Sequence, residues 1–159
     1  RDVFDSSGLG TFDVVYSWGV LHHTGDVWRA IRCAAAHVAP GGLFCIAIYN
    51  DQGSRSGYWR AVKRIYNSGA LGRWAILLTH MPVLFGLRYL WRFATGRLHL
   101  DRGMSIWHDA IDWLGGYPFE VASREAVCAF MERDGFTLRK QISVGQKSGC
   151  NEFVFSAQQ

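Results

Sequence analysis

Proline is scarce in this 159-residue chain, with three in all, and none of the four cysteines (Cys33, Cys45, Cys128, Cys150) forms a C-x-x-C pair. Few prolines and no short repeat exclude a collagen-like or low-complexity chain. The cysteines are dispersed, and two lie in apolar runs. That argues against a disulfide scaffold or zinc ribbon and for reduced thiols in a cytoplasmic protein. No apolar run reaches the ~20 residues a membrane-spanning helix needs. The longest, Trp74 to Leu87, is closed off by Arg88. The opening Arg1-Asp2-Val3-Phe4-Asp5 has no Met and no basic-then-apolar leader pattern, so an upstream portion is expected.

The composition present is that of a globular domain: 49% hydrophobic, 14% aromatic and 19% charged, enough for a core and too apolar for disorder. The net charge of +4 is unevenly spread. Arg55, Arg60, Lys63, Arg64, Arg73, Arg88, Arg92 and Arg97 face only Asp101 in one segment, which also holds Trp59, Trp74 and Trp91.

Phe12 to Ser17 is an apolar run without alternation, as in a strand covered on both faces. Val27, Ile31, Ala34 and Val38 recur at helical spacing. They predict a helix over 26–38, capped by Thr24 or Asp26 and stopped by Pro40-Gly41-Gly42. Leu43 to Tyr49 is a second continuous strand, and strand, helix, strand in that order implies a parallel α/β unit. From Gly53 to Trp113 the pattern is helical, broken at Pro82, with a last helix over 105–114. Ser123 then caps a helix that Gly135 stops. Leu138, Ile142 and Val144 alternate on one strand, and Asn151 to Ser156 form another. The short link between these last two predicts antiparallel neighbours.

The stretches FDVVYSWGVLHHT (12–24) and VAPGGLFCIAIYN (38–50), with Gly135-Phe136 and the closing hairpin, resemble the class I S-adenosylmethionine-dependent methyltransferases, nearest the bacterial ubiquinone-biosynthesis O-methyltransferase type. The resemblance covers nearly all of the chain outside the helical block. It implies a Rossmann-like α/β sheet of which the second half is present, strands four to seven with the last two antiparallel. Residues 1–52 and 117–159 would then form the core, and 53–116 a helical insertion or lid. The family's glycine-rich loop and ribose-holding acidic residue have no counterpart here. Gly8-Leu9-Gly10 leads into a strand and not a helix, so it fails the context of a nucleotide loop. The resemblance implies S-adenosylmethionine as cofactor. Asp2 would accept from the adenine amino group, and Val3 would give a backbone contact. Ser17, Trp18, Gly19 and His23 would line the methionine side, beyond a strand's carboxyl end. Asp2 as an exposed turn residue is the competing reading.

Methyl transfer is an in-line displacement dominated by alignment, and a histidine base helps when the nucleophile is a hydroxyl. His22 and His23 are the catalytic candidates, although adjacent side chains diverge and at most one faces a substrate. Backbone-bonding loop histidines are the alternative. Tyr49 and Asn50, at the next strand's end, are candidates for substrate contact or a plain polar terminus. His108, with Asp109 and Asp112 on one helix, and Tyr117 with Glu120, form either a polar substrate wall or a solvated face. Cys33 and His37 share a helical spacing, read as a thiol with a polar rim and not as metal ligands; no metal is expected.

The basic, Trp-bearing block fits a helix lying on an anionic leaflet, a lid over an apolar substrate, or an ordinary solvated cap. Its aliphatic content exceeds what a phosphate groove needs, so no nucleic acid is expected. The expectation is thus a methyltransferase acting on a small, apolar or lipid-like acceptor. A non-enzymatic adaptor that binds membrane or a protein through the basic block is the alternative. The protein would be cytoplasmic, with peripheral membrane contact and self-association through an open sheet edge.

Overall fold

The computed structural model describes residues 2–6, 8–96 and 106–158. The chain divides into two compact units, Arg1–Ser56 with Pro118–Gln159, and Gly57–Tyr117.

The first unit is a mixed α/β layer. Strand β1 (Phe12–Trp18) leads through a short turn to helix α1 (Val27–Ala35) and strand β2 (Val38–Tyr49). After the helical unit come α6 (Arg124–Arg133), β3 (Phe136–Ile142) and β4 (Cys150–Ala157). The open sheet has the order β1-β2-β4-β3. β1 and β2 are parallel, and β4 is antiparallel to both its neighbours. The core lies on one face, where Phe44, Ile46 and Ile48 of β2 and Phe153 and Phe155 of β4 meet Ile31 of α1 and Val127 and Met131 of α6. Each fully buried side chain of this size stabilises by ~1.5–3 kcal/mol. Asp26 caps α1 by accepting from the Arg29 N–H at 3.1 Å. Ser123 caps α6 through Ala126, and Gly135 ends α6 in the left-handed region at φ +83°.

Three expectations for this unit are corrected. β1 is not covered on both faces: Val14 (57% exposed) and Tyr16 (65%) point away from the core, and only the face carrying Val15 packs inward. Helix α1 ends at Ala35, before Pro40-Gly41-Gly42, and Val38 already belongs to β2. Pro40-Gly41-Gly42 instead forms an irregularity in the strand, where the step Phe12 to Val14 in β1 faces Val38 to Leu43 in β2. A Cβ on Gly42 would stand 2.8 Å from the Ala39 carbonyl and 3.0 Å from that of Asp13, so this close passage requires glycine. In β3 the register shifts between Leu138 and Lys140. The bulge turns Gln141 to the side of Phe153 and leaves Ile142 exposed, out of line with Leu138.

The second unit is helical. α2 (Ser54–Tyr66), α3 (Ala70–Met81), α4 (Leu87–Ala94) and α5 (Ile106–Gly115) are its helices. The start expected for the last helix, Ser105, lies outside the described residues. Val62 and Tyr66 of α2, Ile76 and Met81 of α3 and Leu114 of α5 form its core, with the Trp59 and Trp113 rings edge to face at 4.4 Å. The expected break at Pro82 is replaced by one π-helical turn, Pro82–Gly86, that joins α3 to α4. Proline disrupts the hydrogen bonds of the turn before it, and widening to π geometry absorbs that loss without ending the helix. Among the described residues no helix is long and apolar enough to cross a membrane.

Candidate active site beyond two parallel strands

β1 and β2 run side by side, so Trp18 and Tyr49 end at the same border of the sheet. Past Trp18, the Gly19 N–H donates to the Ala47 carbonyl at 3.4 Å and ties the exit of β1 to β2. The chain then makes a 3-10 turn over Leu21–His23, which Thr24 closes by donating to the Leu21 carbonyl at 2.8 Å. Residues 118–122 run past the end of β2. Ala122 N–H donates to the Tyr49 carbonyl and Glu120 N–H to the His22 carbonyl, both at 3.0 Å.

This arrangement separates the two histidines. His22 is 0% exposed. Its ring lies 3.9 Å from that of Tyr49, between centroids, and its Nδ1 accepts from the Tyr49 N–H at 3.4 Å. His23 is half-buried. Its Nδ1 is 2.7 Å from the Pro118 carbonyl. A carbonyl only accepts, so Nδ1 carries the hydrogen and the neutral ring keeps its lone pair on Nε2. The Tyr49 ring also packs on Phe119 at 5.2 Å. Burial, and then the Cys150 thiol, raises the Tyr49 pKa above its ordinary value, so its phenol stays protonated. Burial and Glu152 push the Cys150 thiol up to about 11, leaving it an inert neighbour.

Asn50 is engaged in structure. It donates to the Gly145 carbonyl at 2.7 Å and accepts from the buried Asn151 at 2.9 Å, while Asn151 also accepts from Val144 N–H. The amide pair anchors the β3–β4 loop beside the end of β2. Asp2 caps the short 3-10 turn Val3–Asp5 by accepting from Phe4 N–H at 3.0 Å through Oδ1. Val3 packs partly on the core. Ser17 is half-buried and Trp18 49% exposed, and nothing stands within 4 Å of where a Cβ on Gly19 would be. The structure thus brings His22, His23 and Tyr49 together. His108 and Tyr117 belong to the second unit, and both are exposed. Asp112 is exposed as well, and the side chain of Asp109 lies outside those described.

His37 lies beyond the end of α1, where its ring bonds the Gly10 carbonyl at 2.7 Å and Ser6 Oγ at 2.9 Å. With Cys33 it lines a cavity of about 380 Å3. Among the described residues no three His, Cys, Asp or Glu side chains cluster as a metal site. Sequence reasoning missed two groups. The Pro118–Phe119 wall carries no local signal, because its partner histidines are far upstream. Lys63 reads as one more solvated cation, yet it is 0% exposed, lies 4.4 Å over the Trp113 ring and donates to the Trp113 carbonyl in the last turn of α5. Burial lowers its pKa to about 8.

A family model described as a methyltransferase domain matches residues 1–141. The chain belongs to this methyltransferase-domain family. Among solved structures it is similar to an O-methyltransferase family protein from Burkholderia thailandensis, with 14% identity and a TM-score of 0.51. That match covers 99% of this chain and 34% of that one. It is also similar to the magnesium protoporphyrin IX methyltransferase of Synechocystis PCC 6803 with bound SAH, at 10% identity and a TM-score of 0.47, covering 99% of this chain and 49% of that one. At such identities the likeness concerns the fold alone, and the chain spans between a third and a half of those structures' length. No curated protein matches the chain.

Proposed function

We propose that this methyltransferase domain contributes to an S-adenosylmethionine-dependent methyl-transfer site, of the ubiquinone-biosynthesis O-methyltransferase type, that acts on a hydroxyl of a small apolar or lipid-like acceptor. The observation that carries the reading is the His22–His23–Tyr49 cluster beyond the carboxyl ends of two parallel strands, where open α/β sheets place their ligands. The bound cofactor supplies an electrophilic methyl group on a sulfonium sulfur. The residues suit it: Asp2 engages Oδ1 with Phe4 N–H and keeps Oδ2 for the adenine amino group. Val3 adds a backbone contact, and Ser17, Trp18 and Gly19 offer a half-exposed ring and open space at the strand's end.

His23 takes the acceptor's hydroxyl proton at Nε2, with Pro118 holding the ring's tautomer. His22 packs beneath it and orients Tyr49, whose phenol remains a donor. Self-association through the outer edge of β1 belongs to the same proposal, because among the described residues β1 pairs only with β2.

Transfer of labelled methyl from S-adenosylmethionine to a long-chain alkylphenol tests the reading. His23→Ala should lower the rate at saturating cofactor ~10²–10⁴-fold. An unchanged rate would remove His23 from the mechanism.

A further inference from the structure

We infer that the continuous helical run Ala70–Ala94 lies on an anionic membrane surface. Leu71, Trp74, Leu78, Val83, Leu87 and Leu90 are 61–87% exposed, far more than isolated surface apolar residues explain. They are spaced by three, four, five, four and three residues. The five-residue step, Leu78 to Val83, crosses from α3 into the π-helical turn Pro82–Gly86, which joins α3 to α4 without ending the helix. Large exposed apolar side chains therefore continue along both α3 and α4.

The occupant is argued from charge. Between Asp51 and Asp101 there is no Asp or Glu, and the run Ala70–Ala94 itself carries Arg73, Arg88 and Arg92; Lys63 of α2 is buried and does not contribute to the surface charge. Arg73, exposed beside Trp74, is held over the Tyr66 ring at 5.5 Å. A protein surface of mixed charge offers such a segment no particular match, whereas an anionic leaflet does. An amphipathic helix with cations and Trp at its border buries its apolar face at the headgroup boundary, and each Lys or Arg held there strengthens binding about fivefold. Arg73 and Arg88 confine the run's apolar stretch to residues 74–87, short of the ~20 residues a spanning helix needs, which suits a helix lying on the surface.

Flotation of the full chain is compared on vesicles of equal parts phosphatidylglycerol and phosphatidylcholine and on vesicles of phosphatidylcholine alone. Binding should be at least ~tenfold tighter on the anionic vesicles and should weaken with salt. Leu78→Glu should lower it ~tenfold with circular dichroism unchanged, since Leu78 is exposed. Absence of binding, equal binding to both vesicles, or no effect of Leu78→Glu would each overturn the assignment. A dimer that Leu78→Glu disrupts, without vesicle binding, would assign these apolar side chains to a second copy.

Discussion

His22 and His23 are neighbours in sequence with different environments. His22 is sealed against Tyr49, and His23 is half-buried with its tautomer set by Pro118. The sequence shows that two adjacent histidines diverge; which one is buried depends on residues 118–122 folding back, and nothing local encodes that. His22→Ala should therefore cost roughly 3 kcal/mol in denaturant unfolding, as other large buried rings do, and His23→Ala much less. Lys63 gives a pH signature. Its folded pKa is about 8 against an ordinary 10.5, so above pH 8 unfolding takes up a proton and stability rises with pH. Cys150 works in the opposite sense, because its thiol pKa goes from an ordinary 9.0 to about 11 in the fold and unfolding releases a proton above pH 9. Stability should climb between pH 8 and 9 and then level off. Lys63→Met should abolish the climb, as chemical denaturation across this range would reveal.

Among the elements, strands and helices followed from apolar periodicity, while their ends and irregularities did not. The Pro40-Gly41-Gly42 signal marks a break in regularity, but the break belongs to β2 and not to α1, because the backbone passes close to the Asp13 carbonyl there. Gly42→Ala should destabilise by ~1–3 kcal/mol through overpacking, and Phe155→Ala, at the centre of the core, by ~3–5 kcal/mol; both are read as shifts in the urea midpoint. The β3 bulge is invisible to an alternation pattern, since one extra residue reverses every side chain after it. Pro82 shows the converse. A proline predicts a helix end, yet neighbouring turns accommodate it by widening.

For the whole molecule, the α/β class and the antiparallel end of the sheet were readable from the strand–helix–strand order and the short last link. The exposed face of β1 was not, because an apolar run looks alike whether one face or both are covered. The charge distribution was plain in the sequence, but the exposed apolar side chains it accompanies emerged only with the packing of α3 and α4. The open edge and the apolar face of β1 predict concentration-dependent association in light scattering, which a lysine at Val14 should suppress. The central claim is that this methyltransferase domain contributes to an S-adenosylmethionine site. It is tested most directly by calorimetric titration of S-adenosylhomocysteine into this chain and into a form that also carries any sequence its gene encodes upstream. Saturable binding to at least one form, weakened by Asp2→Ala, is the predicted result; no binding to either would contradict it.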